Sequence, residues 1–230
     1  MSKISKLQED NVGIKSSYCR PKKVEKGLLS DNVWVRLEWA QRLDFIPTPE
    51  QVERGLTDSS IEVRKAWGRR MDFTPTPEQI ERGLTDDNHW VRMIWASRTD
   101  YTPTALQIER GLTDIFDEVR AAWIRRTDYT PTPKQIERGL KDSAKAVRRA
   151  WAERMDCTPT PEQLDNIVQT VDKVTMLLWL KRTDIEWDPK HIQHGLSHPY
   201  PSIREAWMHI MRNTYEKSMD TSDSLSMHSI

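Results

Sequence analysis

Three histidines in the C-terminal part of the chain have the spacing of metal ligands. His191, His194 and His198 stand at positions i, i+3 and i+7, which places them on one face of a helix. Zinc would need a rigid site and a fourth ligand, for which His209 is the candidate. The same positions carry polar side chains elsewhere in the repeated sequence described below. We therefore predict that these histidines cap and cover a helix end and that no metal is bound.

Arginine and aspartate recur at fixed intervals, a pattern that is able to bind phosphate groups. The first basic column is Arg36, Arg64, Arg92, Arg120, Arg148 and Arg204. The second is Arg42, Arg70, Arg98, Arg126, Arg154 and Arg182, and the acidic column is Asp44, Asp72, Asp100, Asp128, Asp156 and Asp184. A catalytic group is needed once, whereas these residues recur along the chain. We predict a structural ladder, in which each arginine bonds an aspartate or helix-end carbonyl groups of its own or the next repeat.

No motif of a known catalytic site is present in the sequence. It contains no GxGxxG, GxxxxGKS, HExxH, GxSxG or paired CxxC pattern. Its two cysteines, Cys19 and Cys157, are too few for a four-cysteine cluster or a disulfide framework. We predict no catalytic residue and no cofactor.

Charge and hydropathy narrow the class of protein further. The chain of 230 residues has 35 Lys+Arg and 35 Asp+Glu, and this net charge of zero does not favour a nucleic-acid partner. No apolar run is long enough to span a membrane, and the first residues lack the apolar segment of a secretion signal. We expect a cytoplasmic protein without a membrane partner, and no small-molecule substrate is evident.

Tryptophan and glycine recur with a period of 28 residues, which is the mark of a stacked-repeat protein. The tryptophan column is Trp39, Trp67, Trp95, Trp123, Trp151, Trp179 and Trp207. The glycine column is Gly27, Gly55, Gly83, Gly111, Gly139 and Gly195, with Ile167 in the one remaining place. We predict that the tryptophans form the core.

Each repeat is predicted to contain two helices. In the third repeat, Thr76 and Gln79 form a capping box at the start of the first helix, with Pro77 at its first position. Gly83 is either an interior glycine that lets a neighbour approach closely or a C-terminal left-handed cap, and we favour the interior position. Asp86 is the expected N-cap of the second helix. That helix buries one face, which includes Trp95.

These features predict an all-α fold, a right-handed α-solenoid of about seven two-helix repeats. The string PEQIERGLTDDNHWVRMIWASR resembles the leucine-rich-repeat-variant unit, and its Asp-then-Val-Arg signature is shared with HEAT-type repeats. The resemblance implies architecture, and the iron–sulfur cluster known in that family is not implied because only two cysteines are present. We predict an N-terminal cap or tail at 1–19, a single solenoid domain at 20–215, and a disordered C-terminal tail at 216–230.

Positions that vary among the repeats indicate where a partner binds. Repeat proteins keep their stacking residues constant and vary those that face solvent or a partner. The variable positions of the second helices carry apolar or aromatic residues that solvent alone does not require. We name as candidate partner-binding residues the second-helix face, which consists of Trp34, Leu37, Trp90, Met93, Arg125, Arg149 and Leu177. The alternative is that the terminal repeats bury some of these residues against the tails.

The sequence therefore predicts a non-enzymatic scaffold that binds a macromolecule, with a protein as the favoured partner. One alternative is a nucleic-acid-binding HEAT-like protein, including an enzyme similar to the alkylpurine DNA glycosylases built of such repeats. The basic patch at Lys141–Arg149 is either a solvated face, which we favour, or a surface that touches nucleic acid. A further alternative is a phage or pathogen effector that masks a host protein.

Overall fold

A computed structural model describes residues 20–170 and 172–226 of the chain, and this part is helical with no β-strand. The chain divides into two compact units, Met1–Asp100 and Tyr101–Ile230. The predicted cap or tail at 1–19 lies outside the described residues. The single solenoid domain at 20–215 and its right-handed twist stay predictions.

The first compact unit contains three helix pairs in two layers. Its helices are α1 (Pro21–Leu28), α2 (Val33–Gln41), α3 (Pro49–Leu56), α4 (Ile61–Gly68), α5 (Pro77–Leu84) and α6 (His89–Ala96). Each first helix packs against the second helix of its own repeat, as α5 does against α6. The second helices α2, α4 and α6 also pack in succession, so they form one continuous layer in this unit.

The second compact unit continues the same pattern with four helix pairs. Its helices are α7 (Ala105–Leu112), α8 (Asp117–Ile124), α9 (Pro133–Leu140), α10 (Lys145–Glu153), α11 (Pro161–Thr170), α12 (Lys173–Leu180), α13 (Pro189–Leu196) and α14 (Pro201–Ser226). The second helices α8, α10, α12 and α14 pack in succession. Helix α14 extends to Ser226 and covers part of the segment 216–230, for which disorder stays a prediction.

Local sequence signals explain where each helix begins. The side chain of Thr76 accepts a hydrogen bond from the backbone N–H of Gln79, and the Gln79 side chain accepts one from the backbone N–H of Thr76, which confirms the capping box. The second helix starts later than expected. Its N-cap is Asn88, so the prediction that Asp86 is the N-cap is wrong. Asp86 instead accepts the backbone N–H of Asn88 in the turn before the helix, at 2.9 Å.

The core of each repeat is a tryptophan of the second helix packed on a glycine of the first. Trp95 is 1% exposed, and all seven tryptophans of the column are buried, as predicted. A Cβ atom placed on Gly83 would come closer than 3.0 Å to the indole ring of Trp95. Gly83 lies inside α5 with a negative φ, so the interior position is confirmed and the left-handed cap is excluded. Glycine is needed here because the indole occupies the space of its missing side chain.

Candidate functional site

The second arginine column forms a buried ladder that, within each compact unit, ties a repeat to the one before it. Arg98 is 3% exposed, and its Nη1 donates hydrogen bonds to the carbonyl oxygens of Gly68 at 2.8 Å and Arg70 at 2.6 Å. Its guanidinium also forms a bidentate pair with Asp100 and lies 5.0 Å from the ring centre of Trp95. We call this the backward ladder; its buried members are Arg70, Arg98, Arg126, Arg154 and Arg182. The predicted pairing with aspartate is confirmed, although the carbonyl acceptors belong to the preceding repeat.

The first arginine column forms a second ladder that points the other way. Arg64 donates to both carboxylate oxygens of Asp86 in the next repeat, at 2.8 and 2.9 Å. It also donates to the carbonyl oxygen of Asp58 in the turn before its own helix. Burial would raise the pKa of Asp86, but the bonds from Arg64 and from the N–H of Asn88 lower it below its ordinary value. Arg36, Arg64, Arg120 and Arg148 each pair in this way with an aspartate of the next repeat, so these arginines hold neighbouring repeats together.

A third set of polar contacts joins the first helices, and the sequence analysis missed it. Glu53 accepts hydrogen bonds from the capping Gln79 at 3.1 Å and from Arg82 at 2.6 Å in the next repeat. Glu25 and Glu109 make the same contacts in other repeats. The recurrence of Glu, Gln and Arg at fixed 28-residue intervals is the sequence signal that could have revealed them.

The structure places the three histidines in different surroundings. His191 is buried, and its Nε2 lies 2.6 Å from the carboxylate of Asp165 on the preceding first helix. His194 is exposed, whereas His198 is half-buried at the turn that follows the helix. Burial and the nearby His194 and Arg204 lower the pKa of His198. Within residues 20–170 and 172–226, no three side chains of ligand type are close enough to hold a metal ion.

The structure places the aromatic residues of the second-helix face at the surface. Trp34 is 71% exposed and Trp90 is 41% exposed, and each lies in the first turn of a second helix capped by an asparagine. Leu37 and Met93 are half-buried one turn further along the same helices. Between them in the layer, α4 presents an ion pair of Glu62 and Lys65. Trp34 and Trp90 therefore flank a charged helix in the first compact unit.

The remaining predicted residues lie in the second compact unit, where the face is more polar. Arg125 is exposed and Leu177 is half-buried. Arg149 is half-buried and forms an ion pair with Asp172 at 3.3 Å, so it stabilises the junction of two repeats besides facing the surface. Ala121, at the position equivalent to Met93, is buried. On α8 this position therefore contributes nothing to the surface.

The pKa of Asp172 gives a test of this junction. Burial would raise it, but hydrogen bonds from the side chain and backbone of Thr175 and the nearby Arg149 lower the pKa from 3.8 to about 2. A lowered folded-state pKa adds stability above the unfolded-state value and loses it as the pH falls. We expect Asp172→Asn, which keeps a capping side chain, to lower the free energy of unfolding by about 1–2 kcal/mol at pH 7.

The measurement is urea unfolding of both proteins as a function of pH. The difference between wild type and Asp172→Asn should be constant well above pH 3.8 and shrink as the pH falls through 3.8 towards about 2, where the aspartate of the folded protein becomes protonated. A difference that does not change with pH would contradict the role of the charge.

Shallow grooves lie between the C-terminal ends of successive second helices, and they extend the candidate surface. One groove of about 310 Å³ lies between α4 and α6 and is lined by Met71 and Met93. A second, of about 320 Å³, lies between α8 and α10 and is lined by Arg125 and Met155. Met71 and Met155 are exposed and occupy the same repeat position, four residues after the tryptophan. The sequence analysis missed this position because it follows the end of the helical pattern.

Helix length and hydropathy also bear on membrane insertion. Of the helices described here, none combines the length and the apolar character that crossing a bilayer requires.

The fold is shared with a known repeat protein. The solved structure of a leucine-rich repeat variant, described as having a novel repetitive structural motif, is similar to this chain with a TM-score of 0.60 and 21% sequence identity. The similarity covers 84% of this chain and 72% of that chain. No protein-family model matches the sequence, and no curated protein does. The chain therefore has the fold of an all-α repeat solenoid, as the resemblance of its repeats implies.

Proposed function

We propose that this repeat protein is a non-enzymatic scaffold that binds a protein partner through its second-helix face. The observation that carries the proposal is the exposure of Trp34 and Trp90 on a layer whose other tryptophans are buried. Tryptophan is enriched among the residues that dominate protein–protein binding energies. Two exposed indoles at the same repeat position, on helices of one layer that lie two repeats apart, suit a partner that contacts several repeats at once.

Packing of the repeats supports this use of the surface. Within each compact unit, the backward ladder and the first arginine column hold second helices against their neighbours through buried and half-buried hydrogen bonds, such as those of Arg98 and Arg64. Side chains on such a layer are held in place before binding, so little backbone entropy is lost when a partner docks. Binding energy is then available from a few exposed anchors.

The charge distribution favours a protein over a nucleic acid as the partner. A nucleic-acid partner would require basic side chains that are available to neutralise phosphates. The recurrent arginines are largely engaged within the protein, as Arg98 is with Asp100 and Arg64 with Asp86. Within the basic patch, Lys141 pairs with Glu137 and Arg149 with Asp172. These pairs leave less positive charge for phosphate contacts.

The test is partner capture by the full chain immobilised on beads, from a lysate of the organism that encodes it, followed by mass spectrometry. We expect the double variant Trp34→Ala/Trp90→Ala to lose the captured protein and to keep its melting temperature within about 2 °C, because both indoles are exposed. Leu106→Ala is the matched control, since Leu106 is 69% exposed but lies on a first helix. It should retain capture.

Three results would contradict the proposal. Equal loss of capture in the Leu106→Ala control would show that the contact is not specific to the second helices. Unfolding of the double variant in parallel with the loss of capture would place the indoles in the core. Binding of DNA with an affinity that falls steeply with salt, or excision of an alkylated base, would favour the nucleic-acid alternative.

A further inference from the structure

The backward ladder has a vacant position at its C-terminal end. Each member follows its repeat's tryptophan by three residues, as Arg182 follows Trp179. In the last repeat that position is Ile210, and the position of the paired aspartate is Arg212. Both ladder residues are therefore replaced in the helix α14, while the repeat before it retains Arg182 and Asp184.

The carbonyl acceptors that a ladder arginine uses are nevertheless present in the sixth repeat. Arg182 donates to the carbonyl oxygens of Arg154 at 2.7 Å and Cys157 at 2.6 Å, three and six residues after the tryptophan of the fifth repeat. The equivalent oxygens of the sixth repeat belong to Arg182 and Ile185. Within the described residues, no side-chain or backbone donor forms a hydrogen bond with either oxygen.

A cavity lies where the missing arginine would be. It has a volume of about 620 Å³ and is lined by Leu180, Arg182, Ile185 and Trp187 of the sixth repeat and its following loop, and by Ile210 of α14. The grooves at the junctions of α4 with α6 and of α8 with α10 measure about 310 and 320 Å³, and there Arg98 and Arg154 line the space. The larger volume therefore coincides with the loss of the ladder side chain.

The surroundings of the cavity suit a cation. Peptide carbonyl groups at the C-terminal end of α12 carry the negative end of the helix dipole. The acidic Glu186 and the aromatic Trp187 are among the residues that line the cavity, and ladder arginines stack on aromatic rings elsewhere, as Arg154 does on Tyr129. The basic residues of the lining are Arg182, which is paired with Asp184, and Lys181 and His209, which are exposed to solvent.

We propose that this cavity binds one arginine side chain of the protein partner. This inference rests on the proposed function, since it assumes that the partner is a protein. Guanidinium is favoured over ammonium because its planar fork can donate to two separated carbonyl oxygens at once, as Arg154 does to Ile124 and Tyr129. The partner would thus complete the ladder with a residue that the last repeat lacks.

The experiment titrates the isotope-labelled full chain with N-acetyl-arginine amide and follows backbone amide signals by NMR. N-acetyl-citrulline amide is the matched probe, because it has nearly the same shape without the charge. We expect arginine to shift the signals of residues 180–187 in a saturable way and to bind at least tenfold more tightly than citrulline. Equal affinity of the two probes, or shifts elsewhere only, would overturn the proposal.

A second arm supplies a guanidinium from within the protein. Ile210→Arg places an arginine on α14 at the wall of the cavity, and Ile210→Met is the control without a guanidinium. We expect the first variant to melt about 3 °C or more above the control and to abolish arginine binding. A melting temperature at or below that of the control, or undiminished arginine binding, would show that the acceptors are not arranged as proposed.

The two proposals fail in different ways. If Trp34→Ala/Trp90→Ala loses partner capture while arginine and citrulline bind alike, the second-helix face stands and the arginine site is wrong. If arginine binds selectively and the double tryptophan variant still captures its partner, the cavity stands as a site and the face is wrong.

Discussion

Gly83→Ala is expected to destabilise the protein by about 3 kcal/mol, at the upper end of the range for overpacking. The added methyl group would overlap the indole of Trp95, which is 1% exposed and has no space to move into. The sign of the effect is diagnostic. Alanine is the better helix former by about 1 kcal/mol, and Gly83 has a negative φ, so without the overlap the change would stabilise α5. Urea unfolding monitored by circular dichroism measures the difference.

The matched control is Gly68→Ala, the same change in a second helix of the same compact unit. A Cβ atom there would lie 3.1 Å from Cγ2 of Ile94, which is tight but requires only a small shift. Other repeats carry alanine at this position, as Ala40 and Ala96 show. Its free energy of unfolding should stay within about 1 kcal/mol of wild type. Similar losses in both variants would mean that the glycine column is not set by contact with tryptophan.

Much of the fold could be predicted because it is repeated. The 28-residue period places Gly83 and Trp95 at a constant separation, and only a close approach explains a glycine inside a helix beside a buried aromatic residue. The start of the second helix was less predictable. Aspartate favours both N-caps and turns, and at Asp86 the turn prevails because Arg64 of the preceding repeat holds the carboxylate there. Contacts between repeats decide such positions.

The candidate surface was predictable only in part, for a related reason. Variation among repeats identifies Trp34 and Trp90 as surface residues, and both are exposed. It does not identify Met71, because the groove that Met71 lines forms between two helices and follows no helical period. The cavity beside Ile210 likewise forms between two repeats, so the sequence of either repeat alone does not reveal it. The sequence shows that the last repeat lacks the ladder arginine. It does not show that the carbonyl acceptors of the preceding repeat remain in place, and both facts are needed to recognise the site.

The ladders connect stability with the proposed function. A repeat stack contacts only its nearest neighbours, so each junction must resist opening on its own. Buried arginines at the junctions supply specific geometry as well as energy, since Arg98 reaches two carbonyl oxygens of the preceding repeat and the carboxylate of Asp100 together. A partner that contacts Trp34 and Trp90 depends on this geometry, because the two indoles lie on different repeats.

The second large effect is expected for Arg98→Met, which should lower the free energy of unfolding by about 3–5 kcal/mol. The change removes the buried guanidinium while it leaves a side chain of similar length. The carbonyl oxygens of Gly68 and Arg70 then lose their donor, and Asp100 loses its charge partner. Arg98→Lys should be nearly as damaging, because an ammonium group cannot reproduce the bidentate contact with Asp100.

Arg82→Met is the control for this prediction, since Arg82 also pairs with a carboxylate across a repeat junction, 2.6 Å from Glu53. Both of those side chains are more than 40% exposed, and exposed ion pairs contribute less than about 1 kcal/mol. The two variants should therefore differ by several-fold in their effect on urea unfolding at the same pH. An equal loss of stability in the two variants would mean that an ion pair at the junction contributes the same free energy whether it is buried or exposed. In that case the backward ladder would be an ordinary surface ion pair, and the vacant position beside Ile210 would have no special affinity for arginine.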